Sequence, residues 1–168
     1  MPSLYEVSKL KLERKVDLGP FTHTVDDGIP LRKAALSIFA TFLEQLPGSL
    51  DIQAFMPVLA LALGDAEDIQ LHAHQIVISM CSRQATYLEA SVETFVAPLD
   101  KTMNKKPGAK TGTELERLND WIKSALRVML TLGRLEGAMN SRKFAEFVER
   151  VKANSKFTHM VEALELER

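Results

Sequence analysis

Residues 15–36 read KVDLGPFTHTVDDGIPLRKAAL, and the fold turns on how this stretch is understood. Leu12, Arg14, Val16 and Leu18 alternate with Glu13, Lys15 and Asp17; Gly19-Pro20 interrupts the run, and Phe21-Thr22-His23-Thr24-Val25 follows, rich in β-branched residues. Two such runs about a two-residue breaker predict a β-hairpin over residues 12–27. Glycine takes a positive φ without steric cost, and proline, whose ring locks its own φ, forces the turn. Asp26-Asp27-Gly28 ends the second strand and offers helix-capping groups. Pro30 suits the first helical position, where its missing N–H would be unpaired in any case. Beyond it Leu31, Ala34, Ala35, Ile38, Phe39, Phe42 and Leu46 follow helical spacing, so the hairpin feeds directly into an amphipathic helix.

A two-stranded hairpin is marginal on its own in water. This one must lean on neighbouring helices or be built to meet something else. Pairing across Gly19-Pro20 sets Leu18 opposite Phe21, two apolar side chains at a tip that solvent would normally make polar. Either the tip folds back onto the chain's own core, or it probes a pocket on a partner.

The remainder is periodic in the helical sense. Pro47-Gly48 stops the first helix, and Asp51 is placed to cap a second, with Ile52, Phe55, Met56, Leu59, Ala62 and Leu63 on its stripe. Asp65 or Asp68 caps a third, in which Ile69, His72, Ala73, Ile76, Val77 and Met80 recur on one face and His74 faces water. Tyr87, Leu88, Val92, Phe95, Val96 and Leu99 mark a fourth. A polar, basic loop spans 101–112, before a stripe of Leu115, Leu118, Ile122, Ala125, Leu126, Met129 and Leu130. Phe144, Phe147, Val148 and Val151, then Phe157, Met160, Val161 and Leu164, give two last helices within a terminal cap over 139–168.

Proline inside a helical run normally argues against the helix. Here it recurs, as Pro57 in FMPVL and Pro98 in FVAPL, and the interval between the two is that of helical-pair repeats. Intervals can be counted from Pro2, Pro57 and Pro98 to the partner helices at Leu31, Ile69 and Ile122. The first and last are longer than the middle one, and the excesses are the hairpin and the basic loop. Both insertions therefore fall between the two helices of a repeat, on the same edge of the stack, and insertions sharing one edge often mark a binding face. The expected architecture is all-α: an α-solenoid of HEAT-type helical pairs with one projecting β-hairpin and a C-terminal helical cap. Because helical pairs cannot bury their faces alone, the chain reads as the C-terminal end of a longer solenoid whose remainder is one of its partners.

Composition narrows the function. A chain of 168 residues can bury roughly 70% of its unfolded surface in one domain. No apolar run approaches the roughly 18 residues of a membrane helix, and no signal-peptide core opens the chain. The lone Cys81 excludes an internal disulfide and fits a reducing compartment. Net charge is −1 but unevenly spread: residues 34–100 carry one base against eight acids, and residues 101–168 fourteen bases against nine acids. That asymmetry suggests electrostatic complementarity with a protein partner rather than nucleic acid, whose binders are usually basic overall.

No pattern supplies catalysis, a metal or a cofactor. PGAKTG at 107–112 lacks the leading glycine and the strand of a phosphate loop. His72 and His74 are two apart on a helix and cannot share a metal, which wants i, i+4 spacing. Asp26 and Asp27 read as caps at a helix start rather than as an acid–base pair.

LERKV at 12–16 followed by DLGPFTHTVDDGIPLRKAAL at 17–36 closely resembles the C-terminal region of the cullin-associated, neddylation-dissociated proteins. The run from Pro98 through the basic loop to Trp121, Lys123-Ser124-Ala125 and Arg127 is similar too, as is the ending SRKFAEFVERVKANSKFTHMVEALE. The resemblance covers nearly the whole chain. It implies HEAT repeats that wrap a cullin–RING scaffold, with the C-terminal repeats holding the cullin's N-terminal region and a hairpin entering the surface used by the substrate-receptor adaptor. It further implies a non-enzymatic, cytoplasmic and nuclear protein that promotes receptor exchange on cullin–RING ubiquitin ligases. On that reading the partner contacts are Val16, Asp17, Leu18, Gly19, Pro20, Phe21, Thr22 and His23 of the hairpin and Lys105 and Lys106 of the basic loop. The alternative is a generic HEAT-repeat scaffold or transport-type solenoid for another protein, which accounts for the helices and prolines but not for the hairpin string.

Overall fold

A computed structural model describes residues 2–17 and 19–167, with the backbone alone at Pro2. The chain divides into two compact units, residues up to Ala73 and residues from His74 onward, the division falling inside one helix. The fold is all-α, built of helical pairs of the kind that form solenoids, with one small antiparallel hairpin.

In the first unit, α1 (Pro2–Val7) is followed by β1 (Glu13–Asp17) and β2 (Thr22–Asp26), and then by α2 (Ile29–Gln45) and α3 (Ile52–Ala62). The hairpin is thus inserted between two helices, and the strands pair antiparallel from Glu13–Asp26 to Asp17–Thr22. A chain of rings ties the helices together: Tyr5 of α1 lies 5.0 Å from Phe39 of α2, which lies 4.7 Å from Phe55 of α3. Both separations suit tilted aromatic contacts. Asp51 caps α3 as expected, accepting from the Ala54 amide at 3.0 Å. Pro57 does sit inside α3, where it is exposed and the helix continues past it.

The buried side of α2 differs from the predicted stripe. Arg32, Ala35, Leu36, Phe39 and Leu43 are buried, whereas Leu31, Ile38 and Leu46 are largely exposed. The true face is turned toward the next residue because the arginine belongs to it.

The second unit holds the end of α4 (Glu67–Met80), then α5 (Ala85–Met103), α6 (Thr113–Leu132), α7 (Glu136–Met139), α8 (Arg142–Lys152) and α9 (Thr158–Leu166). Helix α5 runs on through Met103, into the stretch expected to be loop, because Thr102 and Met103 are buried and continue its apolar face. Pro98 lies within it. Acidic side chains of α5 hold the C-terminal helices. Glu89 accepts from the Gly137 amide at 3.0 Å, Glu93 from the Ser141 hydroxyl at 2.8 Å, and Asp100 pairs with Arg150 at 3.1 Å. Ser141 in turn caps α8 by accepting from Phe144 N. Part of the acidic-to-basic asymmetry is therefore neutralised inside this unit.

His74 corrects an expectation. It is fully buried, with Nδ1 2.8 Å from Ser124 Oγ and Nε2 without a partner among the described residues. The buried face of α4 is wider than the stripe of Ile69, Ala73, Ile76, Val77 and Met80, taking in Gln70 and His74 as well. Burial pushes the imidazole down to about 4, because an imidazolium there would leave a charge without water. Half-buried His72 shifts the same way, from burial and then the Lys33 charge. The folded form binds fewer protons than the unfolded one, so this stability is complete above pH 6.5 and falls as pH drops toward 4. Urea titrations between pH 7 and 5 should therefore show stability falling by up to about 1.4 kcal/mol per pH unit below about 6.5. His74→Asn, which keeps a side-chain acceptor for Ser124 but cannot titrate, should flatten that slope.

Candidate functional site

The site is built on a buried charge. Arg32, in the first turns of α2, is 2% exposed. Burying a guanidinium costs several kcal/mol unless each donor finds an acceptor and the charge is balanced. Here all but one of the N–H donors have an acceptor, and two carboxylates face the charge. Nε and Nη2 bond both oxygens of Asp65 at 2.7 Å, Nη2 also meets Asp26 Oδ2 at 2.8 Å, and Nη1 donates to the Leu10 carbonyl at 2.7 Å. Arg32 is held more firmly protonated by Asp65 first, against burial, and then by Asp26.

Asp26 does not cap the following helix by the usual bond to its second or third amide. Gly28 is the N-cap, with no side-chain cap hydrogen bond. Instead Asp26 Oδ1 accepts from Leu12 N and Gly28 N, both at 2.9 Å, joining the two ends of the hairpin. Arg32, then the Leu12 amide, hold its carboxyl down to about 2. Asp26 therefore stays ionised until pH falls through about 2, and what it contributes is present above the unfolded value near 3.8. Asp27 turns outward and pairs with Arg14 across the strands. Asp65, expected as a possible cap for α4, is the partner of Arg32, and its own carbonyl accepts from Gln70 Nε2.

Beyond these roots the hairpin stands in solvent. Val16 is half-buried, and Asp17, Gly19, Pro20, Phe21, Thr22 and His23 are exposed. Register brings Val16 opposite His23 and Asp17 opposite Thr22, whose hydroxyl donates to Asp17 Oδ1 at 3.1 Å. Gly19 has a positive φ, the left-handed turn that favours glycine. Phe21 is 70% exposed, so it does not fold back onto the core. Leu18, predicted to face it, lies outside the described residues. Leu12 and Val25 are also exposed, at 44% and 36%, and extend the apolar character of the hairpin toward its base.

Lys105 and Lys106 belong to the second unit, and the hairpin to the first. Lys106 is exposed, whereas half-buried Lys105 places its ammonium 4.4 Å from the centre of the Trp121 ring. A cation at that distance over an indole is attracted by the ring's negative face. The start of the loop is thus pinned by this contact.

Among the described residues, no three or more His, Cys, Asp or Glu side chains gather so as to hold a metal ion, and no helix is long and apolar enough to cross a membrane. The arrangement suits a surface for binding. The half-buried Cys81 thiol is pushed up to about 11 by burial and is no nucleophile at neutral pH.

Sequence reasoning missed Arg32 and the roles of Asp65 and Gly28. One signal was available: Arg32 is in phase with Ala35, Leu36, Phe39 and Leu43, so a charged residue opens the buried frame. Gly28 is required for space rather than for its torsions. A Cβ there would lie 2.6 Å from Leu10 O and 3.0 Å from both Arg32 Nη1 and Asp26 Oδ1. Since a backbone carbonyl cannot step aside cheaply, Gly28→Ala should cost about 1–3 kcal/mol in denaturant unfolding, whereas Phe21→Ala should stay within about 0.5 kcal/mol of the parent.

Residues 1–152 match the TIP120 family, described as TATA-binding protein interacting (TIP20). The Cullin-associated NEDD8-dissociated protein 1 of Arabidopsis thaliana is 36% identical over 86% of this chain, and that of Dictyostelium discoideum 34% over 89%. The Cullin-associated NEDD8-dissociated protein 2 of Mus musculus is 32% identical over 98%. The chain spans only 12–14% of the length of these relatives. With the match running from α1 to the end of α8, through the hairpin and its Arg32 anchor, the chain belongs to the TIP120 family.

Proposed function

We propose that this chain is a protein-binding module that grips the N-terminal region of a cullin and competes there with the substrate-receptor adaptor. In that role it promotes receptor exchange and assembly of cullin–RING ubiquitin ligases, as a cytoplasmic and nuclear protein. The observation that carries the reading is Phe21: a large aromatic side chain, 70% exposed, at the tip of a hairpin whose roots are fixed to a buried ion pair. A large aromatic bared at the tip of a projecting hairpin, with Leu12 and Val25 also exposed nearer its base, is surface that a partner would cover. The similar proteins named above carry cullin association in their names, which supplies the partner class. Lys106 adds positive charge from the basic loop, which tunes encounter rate more than affinity.

Titration of the chain with a purified cullin N-terminal domain tests the reading. Aromatic anchors carry much of the energy of an interface, so Phe21→Ala should cost ~2–4 kcal/mol of binding. Lys106→Ala should lower the association rate and its dependence on salt. Unchanged affinity of Phe21→Ala, with the helices intact by circular dichroism, would contradict the assignment of the tip.

A further inference from the structure

The hairpin joins the helices through two roots, Leu10 to Leu12 before β1 and Asp26 to Gly28 at the end of β2. Two such crossings would ordinarily act as hinges, since a projecting ribbon with solvated faces has little else to hold it. Here both are bonded to one pair of side chains. Arg32 Nη1 takes the Leu10 carbonyl of the first root, and Arg32 Nη2 takes Asp26 of the second. The Asp26 carboxylate receives the Leu12 and Gly28 amides, one from each root. The Asp27 amide donates to the Leu12 carbonyl at 3.0 Å, closing the roots on each other. Asp65, beyond the end of α3, grips the other edge of the guanidinium. The bare Cα of Gly28 leaves the space in which these groups meet. Past the roots, the described strand residues are exposed apart from the half-buried Val16 and Asp26.

We infer that Arg32 is the positioning residue of the hairpin: through Asp26 and the Leu10 carbonyl it fixes the direction in which the ribbon leaves the helices. A rigid planar fork is needed, because a lysine point charge cannot hold a carboxylate on one edge and two further acceptors on the other. A preset probe gives up less conformational freedom on docking than a swivelling one, which favours productive encounters. The inference deepens the proposed function by naming what presents the tip, and rests on that reading for its consequence alone.

The test uses the 168-residue chain without a partner. Spin labels on Thr24→Cys and Ser37→Cys, in a Cys81→Ser background, report the angle between hairpin and α2 as a distance distribution. Amide exchange at Leu12 and Gly28, followed by NMR, reports the roots directly. Asp26→Asn leaves the Arg32–Asp65 pair in place and should widen the distribution at least twofold and speed exchange at both amides at least tenfold, with protection in α2 and α3 retained. Asp27→Asn, which disturbs only the outward pair with Arg14, should change neither. If Asp26→Asn lowers the melting temperature of the whole chain, the parent decides: its Leu12 and Gly28 amides should exchange as slowly as those of α2, and exchange at the rate of an unstructured chain would overturn the inference. A narrow distribution and parent-like exchange in the substituted root would overturn the inference. Failure of the parent chain to bind a cullin domain would remove the proposed function instead, leaving these two readouts to judge the anchor.

Discussion

The buried guanidinium of Arg32 is the constraint on which the first unit depends. A cation in a protein interior is tolerated when its hydrogen-bonding capacity is filled and its charge neutralised, and removing one partner is costly because the remainder stays buried. Asp65, Asp26 and the Leu10 carbonyl take all but one of its N–H groups and balance its charge. They come from three separate places in the chain. Satisfying one side chain therefore locates the segment before β1, the strand-to-helix junction and the turn before α4 at once. It also sets the face that α2 buries, with Phe39 sitting between Tyr5 and Phe55 on that same side.

The second unit uses charge differently. Its ion pairs and charge-assisted hydrogen bonds lie nearer the surface, where each is worth little alone. They act as a series along one helix: Glu89, Glu93 and Asp100 of α5 meet the N-terminus of α7, the cap of α8 and Arg150 in turn. Lys156 continues the line by donating to the Met103 carbonyl, and Glu167 is held by Lys123 and Arg127 of α6. Apolar burial of Phe144, Phe147, Val151, Phe157 and Leu164 supplies the affinity of the C-terminal helices for the rest of the unit, and the polar contacts supply their register.

Much of this is legible in the sequence. The alternating strands, the Gly19-Pro20 break, the Asp51 cap and the prolines inside two helices all act through local backbone chemistry, which sequence patterns report well. What escapes is decided at a distance. Leu31 and Ile38 have the spacing of a core stripe, yet the buried face of α2 is chosen by Arg32 and its distant partner Asp65. His74 reads as exposed because an imidazole is polar, whereas α4 is buried on more than one side. Asp26 and Asp27 read as equivalent caps, though one joins the two roots and the other pairs outward with Arg14. Lys105 reads only as a contact for a partner because nothing local announces that Trp121 lies beneath it.

The proposed role rests on a division of labour between helices that hold a partner and a hairpin that competes for its surface. The most direct measurement is equilibrium competition: displacement of a fluorescent adaptor from a cullin N-terminal domain by increasing amounts of this chain. The parent is compared with a version in which residues 14–25 are replaced by a short Gly-Ser turn. Because the hairpin is an insertion between α1 and α2, the shortened chain should retain its helical circular dichroism and still bind the cullin domain. The account predicts that the parent displaces the adaptor and that the shortened chain binds without displacing it. Equal displacement by both would contradict it and transfer the competition to the helices.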